Sequence, residues 1–162
     1  MTNSLAPETI LERERQSRRQ GSGLEAGDLA GRWRLVELWS REGTPLPRQA
    51  SALAWLGASL QLTPHGEGDS RALEVGNAVR VGGLRLQFRG EGRLTGRRPL
   101  LRFSFQQLEL HLGNRLLWQR HLAAPAPGGE PFFALIARGM DGDGAWLLAR
   151  GRGGGLARWR CP

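Results

Sequence analysis

Short apolar stretches separated by Gly, Pro and Asn make up most of the chain from residue 32 onward. This pattern is typical of antiparallel all-β domains. Because neighbouring stretches can join, we expect about eight to ten strands. The candidate strands are residues 32–40, 59–63, 72–75, 79–89, 93–95, 100–106, 108–112, 116–119, 133–138, 146–151 and 156–160.

Several of these stretches alternate strictly between apolar and polar residues, which gives each strand one dry face and one wet face. The residues predicted to point inward are Leu84, Leu86, Phe88, Leu101, Phe103, Phe105, Leu108, Leu110 and Leu112. The inward parity changes between Phe105 and Leu108, so a β-bulge or bend is expected at 106–107. Many one-sided hairpins favour a sandwich or a closed barrel. An up-and-down barrel is favoured because closure removes exposed sheet edges.

Turns are predicted at "RGEGR" (89–93), "GN" (113–114), "MDGDG" (140–144) and "GRGGG" (151–155), with a loop over 123–131. Two helices are expected. The first spans Pro7–Gln20 and carries few apolar residues, which predicts a solvated or loosely docked helix. The second is a short helix at 48–56 inside the β domain. The predicted organisation is a helix and flexible joint at 1–23, followed by a barrel domain at 24–162.

Length and composition narrow the class of protein. A chain of 162 residues fits one domain, and 40 % hydrophobic residues suffice for a packed core. No apolar run approaches the roughly 20 residues that a membrane-spanning helix needs. The N-terminus lacks the apolar core of a secretory signal, and Cys161 is the single cysteine. These features predict a cytoplasmic protein in a reducing compartment.

The charge is strongly basic, with a formal net charge of +8, and all 23 basic residues are arginine. Residues 31–162 hold 19 arginines and ten acidic residues, so the β domain carries the excess. Codon bias in a GC-rich gene is one explanation. The other is an acidic partner such as an anionic membrane surface, an acidic protein or, less readily, nucleic acid. A candidate basic patch comprises Arg85, Arg89, Arg93, Arg97, Arg98 and Arg102.

Two charged residues share predicted inward faces with tryptophans. Alternation places Glu37 with Trp33 and Trp39, and it places Arg150 with Trp146. A buried charge requires a partner. Glu37 and Arg150 therefore either pair with each other, pair with backbone groups or lie at the rim, or else Arg150 holds the acidic end of a bound lipophilic molecule.

The motif "GRW" at Gly31–Trp33 resembles the G-x-W element that opens the first strand of calycins, the superfamily of lipocalins and fatty-acid-binding proteins. The resemblance implies that Trp33 packs across the barrel floor. It also implies that a late arginine, Arg158 or Arg160 in "GLARWR", stacks on that indole through a cation–π contact.

The segment "WLLARGRGGGLARW" (146–159) is similar to the C-terminal strand pair of plastid-lipid-associated proteins, also called fibrillins. "GRWRLVELWS" and "LRFSFQQLEL" resemble other strands of that domain. The tyrosine-rich positions of fibrillins and the lipocalin T-D-Y turn are absent. The resemblance implies a photosynthetic prokaryote, thylakoid-associated lipids or pigments, and a location peripheral to the thylakoid membrane.

The sequence thus predicts non-enzymatic binding or carriage of a small lipophilic ligand, such as an acidic lipid or pigment, inside a β-barrel. The predicted ligand-binding residues are Glu37, Trp39, Leu86, Phe88, Phe103, Phe105, Trp146 and Arg150. The predicted floor residues are Trp33, Arg158 and Arg160. One alternative is a basic module with a solid core that docks an acidic partner, and a second is a chromophore lyase on the same fold.

No catalytic residue, cofactor or metal site is predicted. His65, His111 and His121 do not have the spacing of zinc ligands. "DGDG" at 141–144 lacks the glutamate that an EF-hand loop needs at its twelfth position, where Arg152 stands.

Overall fold

A computed structural model describes residues 5–55, 58–65 and 70–162. Over these residues the structure is all-β with two α-helices, as predicted. The helices are α1 (Pro7–Gln20) and α2 (Pro47–Trp55), and a 3-10 turn spans Ala26–Leu29. The strands are β1 (Gly31–Trp39), β2 (Ser59–Pro64), β3 (Ala72–Val81), β4 (Leu84–Thr95), β5 (Leu100–Leu112), β6 (Arg115–His121), β7 (Phe132–Asp141), β8 (Gly144–Gly151) and β9 (Leu156–Cys161).

The strands form one antiparallel sheet that closes into a barrel-like ring. The hydrogen-bonded order is β4-β3-β2-β1-β9-β8-β7-β5, and β4 also pairs with β5, which closes the ring. Apart from β6, strands that follow each other in the chain are neighbours in space. This is the up-and-down arrangement that the sequence predicted.

β6 lies outside the ring because β5 is long enough to serve two partners along one edge. The first residues of β5, Leu100–Arg102, pair with β7, whereas its last residues, Gln107–Leu112, pair with β6. The distal parts of β3, β4 and β5 therefore continue past the ring together with β6. We call residues 79–88 and 107–121 the four-stranded extension.

The main core fills the inside of the ring with apolar side chains. Trp33, Leu62, Val75, Leu101 and Leu147 belong to one contiguous cluster of almost fully buried residues. Trp33 is near the start of β1, where its indole Nε1 donates a hydrogen bond of 2.7 Å to the carbonyl oxygen of Leu29 in the 3-10 turn. Trp33 and Leu29 of this turn belong to the same buried cluster.

A second core lies on the outside of the ring, under α1. It contains Ile10 of α1 together with Trp39, Trp146, Leu148 and Leu156. Ile10 is completely buried. The prediction of a loosely docked helix is therefore wrong, because the few apolar residues of α1 all face one outer wall of the barrel.

The strand predictions are confirmed except around one hairpin. The bulge expected at 106–107 is present, since Gly90 pairs with Phe105 while Arg89 pairs with Gln107. The turn predicted at 89–93 is wrong, because those residues lie inside β4 and the chain reverses at Gly82–Gly83 instead. The internal helix begins one residue earlier than predicted, and Leu56, the last residue of its predicted range, lies outside the described residues.

Candidate functional site

A bulge in β1 divides the residues that alternation had placed on a single face. The register of β1 against β9 shifts between Leu35 and Glu37. Leu35 pairs with Trp159, which packs against the inner core, whereas Trp39 pairs with Leu156 of the outer core. Trp33 therefore faces the inside of the ring, while Trp39 faces α1.

The late arginines also lie on the outer face and not beneath Trp33. Arg158 has its guanidinium carbon 5.9 Å from the ring centre of Trp146 and donates a hydrogen bond of 2.8 Å to Glu37. Arg160 binds Asp141 through two hydrogen bonds of 2.6 and 2.8 Å. On β9 the inward positions belong to Trp159 and Cys161, so the expected stacking of Arg158 or Arg160 on Trp33 is replaced by a contact with Trp146.

Arg150 is held by α1 and by backbone oxygens. Its Nε and Nη2 donate hydrogen bonds of 2.6 and 2.5 Å to the two carboxylate oxygens of Glu14. Its Nη1 bonds the carbonyl oxygens of Arg41 and Gly154. Both predicted buried charges thus have protein partners. The partner of Arg150 is Glu14 of α1 and not Glu37. Its hydrogen-bond donors are directed toward protein groups and not toward the acidic end of a ligand.

Glu14 is the centre of this arrangement. Arg98 and Arg18 also contact its Oε1, at 3.3 and 3.1 Å. Burial raises the pKa of Glu14, but the hydrogen bonds and positive charges of Arg150 and Arg18 outweigh it, and the net pKa is lowered. Arg150 also lines an open depression of about 580 Å³ with Arg18, Arg41, Arg98 and Arg152.

Four of the predicted ligand-binding residues do lie together, on the inner face of β4 and β5. Neighbouring aromatic rings have centres 5.2 Å apart for Phe88 and Phe105, and 5.3 Å apart for Phe105 and Phe103. Leu86 continues the same face of β4 two residues beyond Phe88. Trp39 and Trp146 belong to the outer core, so they are not part of this group.

The inner face remains apolar as it leaves the ring and becomes one side of the extension. Strand register places Val79, Leu86, Leu110 and Trp118 in one cross-strand row. The next row, toward the tips, contains Val81, Leu84 and Leu112. We call this side the apolar face; its members are Val79, Val81, Leu84, Leu86, Phe88, Leu108, Leu110, Leu112 and Trp118.

The outer part of the apolar face is open to solvent. Val81, Leu84, Leu112 and Trp118 are 43–54 % exposed. Soluble monomers rarely expose contiguous apolar surface without a role for it. The alternation in 84–88 and 108–112 predicts an apolar face on each strand. It does not predict that these strands extend beyond the ring. Trp118 was therefore missed.

The predicted basic patch is divided between surfaces. Arg85, Arg89 and Arg93 alternate along the outer face of β4, and Arg93 pairs across strands with Arg102. Arg98 instead turns toward Glu14. Arg80 and Arg85 lie on the outer side of the extension, opposite the apolar face. Strand register places Arg115 beside Leu112 and Arg120 beside Leu108, so these two arginines border the apolar face itself.

The described residues contain no group of three or more His, Cys, Asp or Glu side chains that could hold a metal ion. Within the same ranges, neither helix is long and apolar enough to cross a membrane. Comparison of the chain with protein-family models, with curated proteins and with solved structures finds no match.

Proposed function

We propose that this protein binds a lipophilic molecule on the apolar face of its four-stranded extension. The observation that carries the proposal is the continuity of this face with the core of the ring. The row of aromatic rings from Phe103 to Phe88 leads without interruption to the exposed side chains of Leu84, Leu112 and Trp118.

The location differs from the one that the sequence predicted. Trp33, Leu62, Leu101 and Leu147 occupy the inside of the ring, which leaves the open end as the place for an apolar ligand. A ligand chain lying along the extension would bury apolar surface at about 25 cal/mol per Å². The barrel-like ring and the position of Trp33 are in keeping with the calycin resemblance, which supports a binding role.

A direct test is titration with a fluorescent fatty acid. We expect Trp118→Ser and Leu84→Ser to weaken binding roughly tenfold each, because each removes apolar contact area. Leu116→Ser is the matched control. Leu116 is 44 % exposed on the same strand as Trp118, but it pairs with His111 on the opposite side of the sheet.

Equal losses in Leu116→Ser and Trp118→Ser would show that binding does not use the apolar face. The absence of any bound lipophile by native mass spectrometry, after expression in a lipid- and pigment-rich host, would count against the proposal as well. Far-UV circular dichroism of each variant checks that the sheet is intact.

Docking on an anionic membrane surface is a second candidate. The extension holds Arg80, Arg85, Arg115 and Arg120, and Glu109 is the one acidic residue in its sequence. Exposed apolar side chains beside arginines suit the interface of an anionic bilayer. Flotation with vesicles containing phosphatidylglycerol, repeated over a salt series, distinguishes the two functions. Binding that salt abolishes, without any uptake of free fatty acid, favours docking.

A further inference from the structure

A small depression lies on the basic side of the sheet, opposite the apolar face. Its volume is about 130 Å³, and it lies over β1 to β4. Arg32, Arg80 and Arg85 line it together with Ser59, Gln61 and Gln87. None of the described residues that line it is acidic.

Strand register explains why a depression forms here. Gly76 stands between Gln61 and Arg89 in one cross-strand row, and Ala78 stands between Ser59 and Gln87 in the next. These two small residues leave the middle of the outer face uncovered. The longer side chains on either side form the walls, and the strands hold their backbones in place.

The positive charges of this depression repel one another. Burial lowers the pKa of Arg32, and the positive charges of Arg80, Arg34 and Arg85 lower this pKa further. The Nε–H of Arg85 is buried and has no hydrogen-bond partner among the described residues. A buried donor without an acceptor costs free energy, as do guanidinium groups brought together without an anion.

From these observations we infer that the depression is a binding site for a phosphate group. A tetrahedral oxyanion would accept hydrogen bonds from the guanidinium groups of Arg32, Arg80 and Arg85. The Ser59 hydroxyl and the amides of Gln61 and Gln87 offer further donors. Arginine suits this role because its planar fork matches phosphate oxygens.

The site does not depend on the proposed lipid-binding function, since it lies on the other side of the sheet. The phosphate could belong to a soluble phosphomonoester or to a lipid headgroup. Inorganic phosphate and glycerol 3-phosphate represent the first source, and dihexanoyl phosphatidic acid represents the second.

The experiment is isothermal titration calorimetry of the full chain at low salt with each of these three compounds. We expect at least one to bind, and Arg85→Gln to weaken that binding about tenfold or more. Ala78→Leu should also abolish binding, because its side chain would fill the floor without changing charge. Arg48→Gln, on the exposed surface of α2, is the control of equal charge and should bind as the wild type does.

The compound that binds most tightly identifies the source of the phosphate. The inference is overturned if none of the three binds at millimolar concentration. It is equally overturned if Arg48→Gln loses as much affinity as Arg85→Gln, since that would reveal attraction to the overall charge and not a built site. Fatty-acid binding measured on the same samples tests the apolar face, so failure of the phosphate site can be told apart from failure of the lipid-binding proposal.

Discussion

The Glu14 carboxylate connects α1 to the barrel. Its side chain is 5 % exposed and contacts Arg150 at 2.5 Å and Arg98 at 3.3 Å. Both arginines are themselves largely buried, so removal of the carboxylate would leave positive charge without compensation. The sequence predicts that a buried Arg150 needs a partner. It could not identify Glu14, because 136 residues separate the two in the chain.

We expect Glu14→Gln to lower the free energy of unfolding by about 3 kcal/mol, the cost of breaking a buried ion pair from one side. Glu12→Gln is the control on the same helix. Glu12 is 69 % exposed and pairs with Arg15 at 3.4 Å, a surface contact worth about 1 kcal/mol or less. Urea denaturation measures both. Equal effects of the two substitutions would contradict a bridging role for Glu14.

Asp141 makes stability depend on pH. Hydrogen bonds from Arg160 lower the pKa of Asp141 from 3.8 to about 2. The folded protein therefore binds this proton more weakly than the unfolded chain does. The stabilisation is complete above pH 3.8 and is lost as the pH falls toward about 2.

Asp141→Asn should accordingly flatten the fall in stability over this acidic range, compared with the wild type. Thermal unfolding at a series of pH values measures how the stability of each variant depends on pH. Asp143→Asn is a suitable comparison, because Asp143 is more exposed and lies 3.6 Å from Arg160. A wild-type slope in Asp141→Asn would mean that other carboxylates account for the acid sensitivity.

Among the elements, the hairpin of β4 and β5 depends on a glycine at its bulge. A Cβ atom on Gly90 would lie 1.8 Å from the carbonyl oxygen of Ser104 across the strand pair. The backbone can approach so closely only without a side chain. This also explains why "RGEGR" is not a turn: glycine marks close backbone approach as well as chain reversal, and the sequence alone does not distinguish the two.

Gly90→Ala should destabilise the protein by more than the ~1–3 kcal/mol typical of overpacking, since the clash is with backbone atoms. Gly76→Ala is the matched substitution in the neighbouring strand, where the nearest atom would be 3.4 Å away. Chemical denaturation should show a large loss of unfolding free energy for Gly90→Ala and a small loss for Gly76→Ala. A tolerated alanine at position 90 would contradict the observed register.

Bulges also decide how much of the site could be predicted from alternation. The prediction of which residues of β4 and β5 point inward is correct, because two consecutive glutamines at 106–107 mark the change of parity in the sequence. In β1 no residue marks the shift between Leu35 and Glu37, so Trp39 was placed with Trp33. One added residue moves every later side chain to the other side of a sheet.

For the whole molecule, the balance between charge and apolar surface should control self-association. Within the described chain, β6 hydrogen-bonds to β5 alone, and all seven of its residues are exposed. Such an edge favours pairing with another copy. Arg115 and Arg120 on β6, and a net charge of +8, oppose it through repulsion between molecules.

We therefore expect a monomer at about 0.05 M salt and measurable association at about 0.5 M, where the screening length falls below roughly 5 Å. Sedimentation velocity over a range of protein concentrations would detect the change. Trp118→Ser should reduce the association at high salt because it removes apolar surface beside the edge. Association that is strongest at low salt would contradict this account. It would instead indicate ionic contact between oppositely charged groups of different molecules.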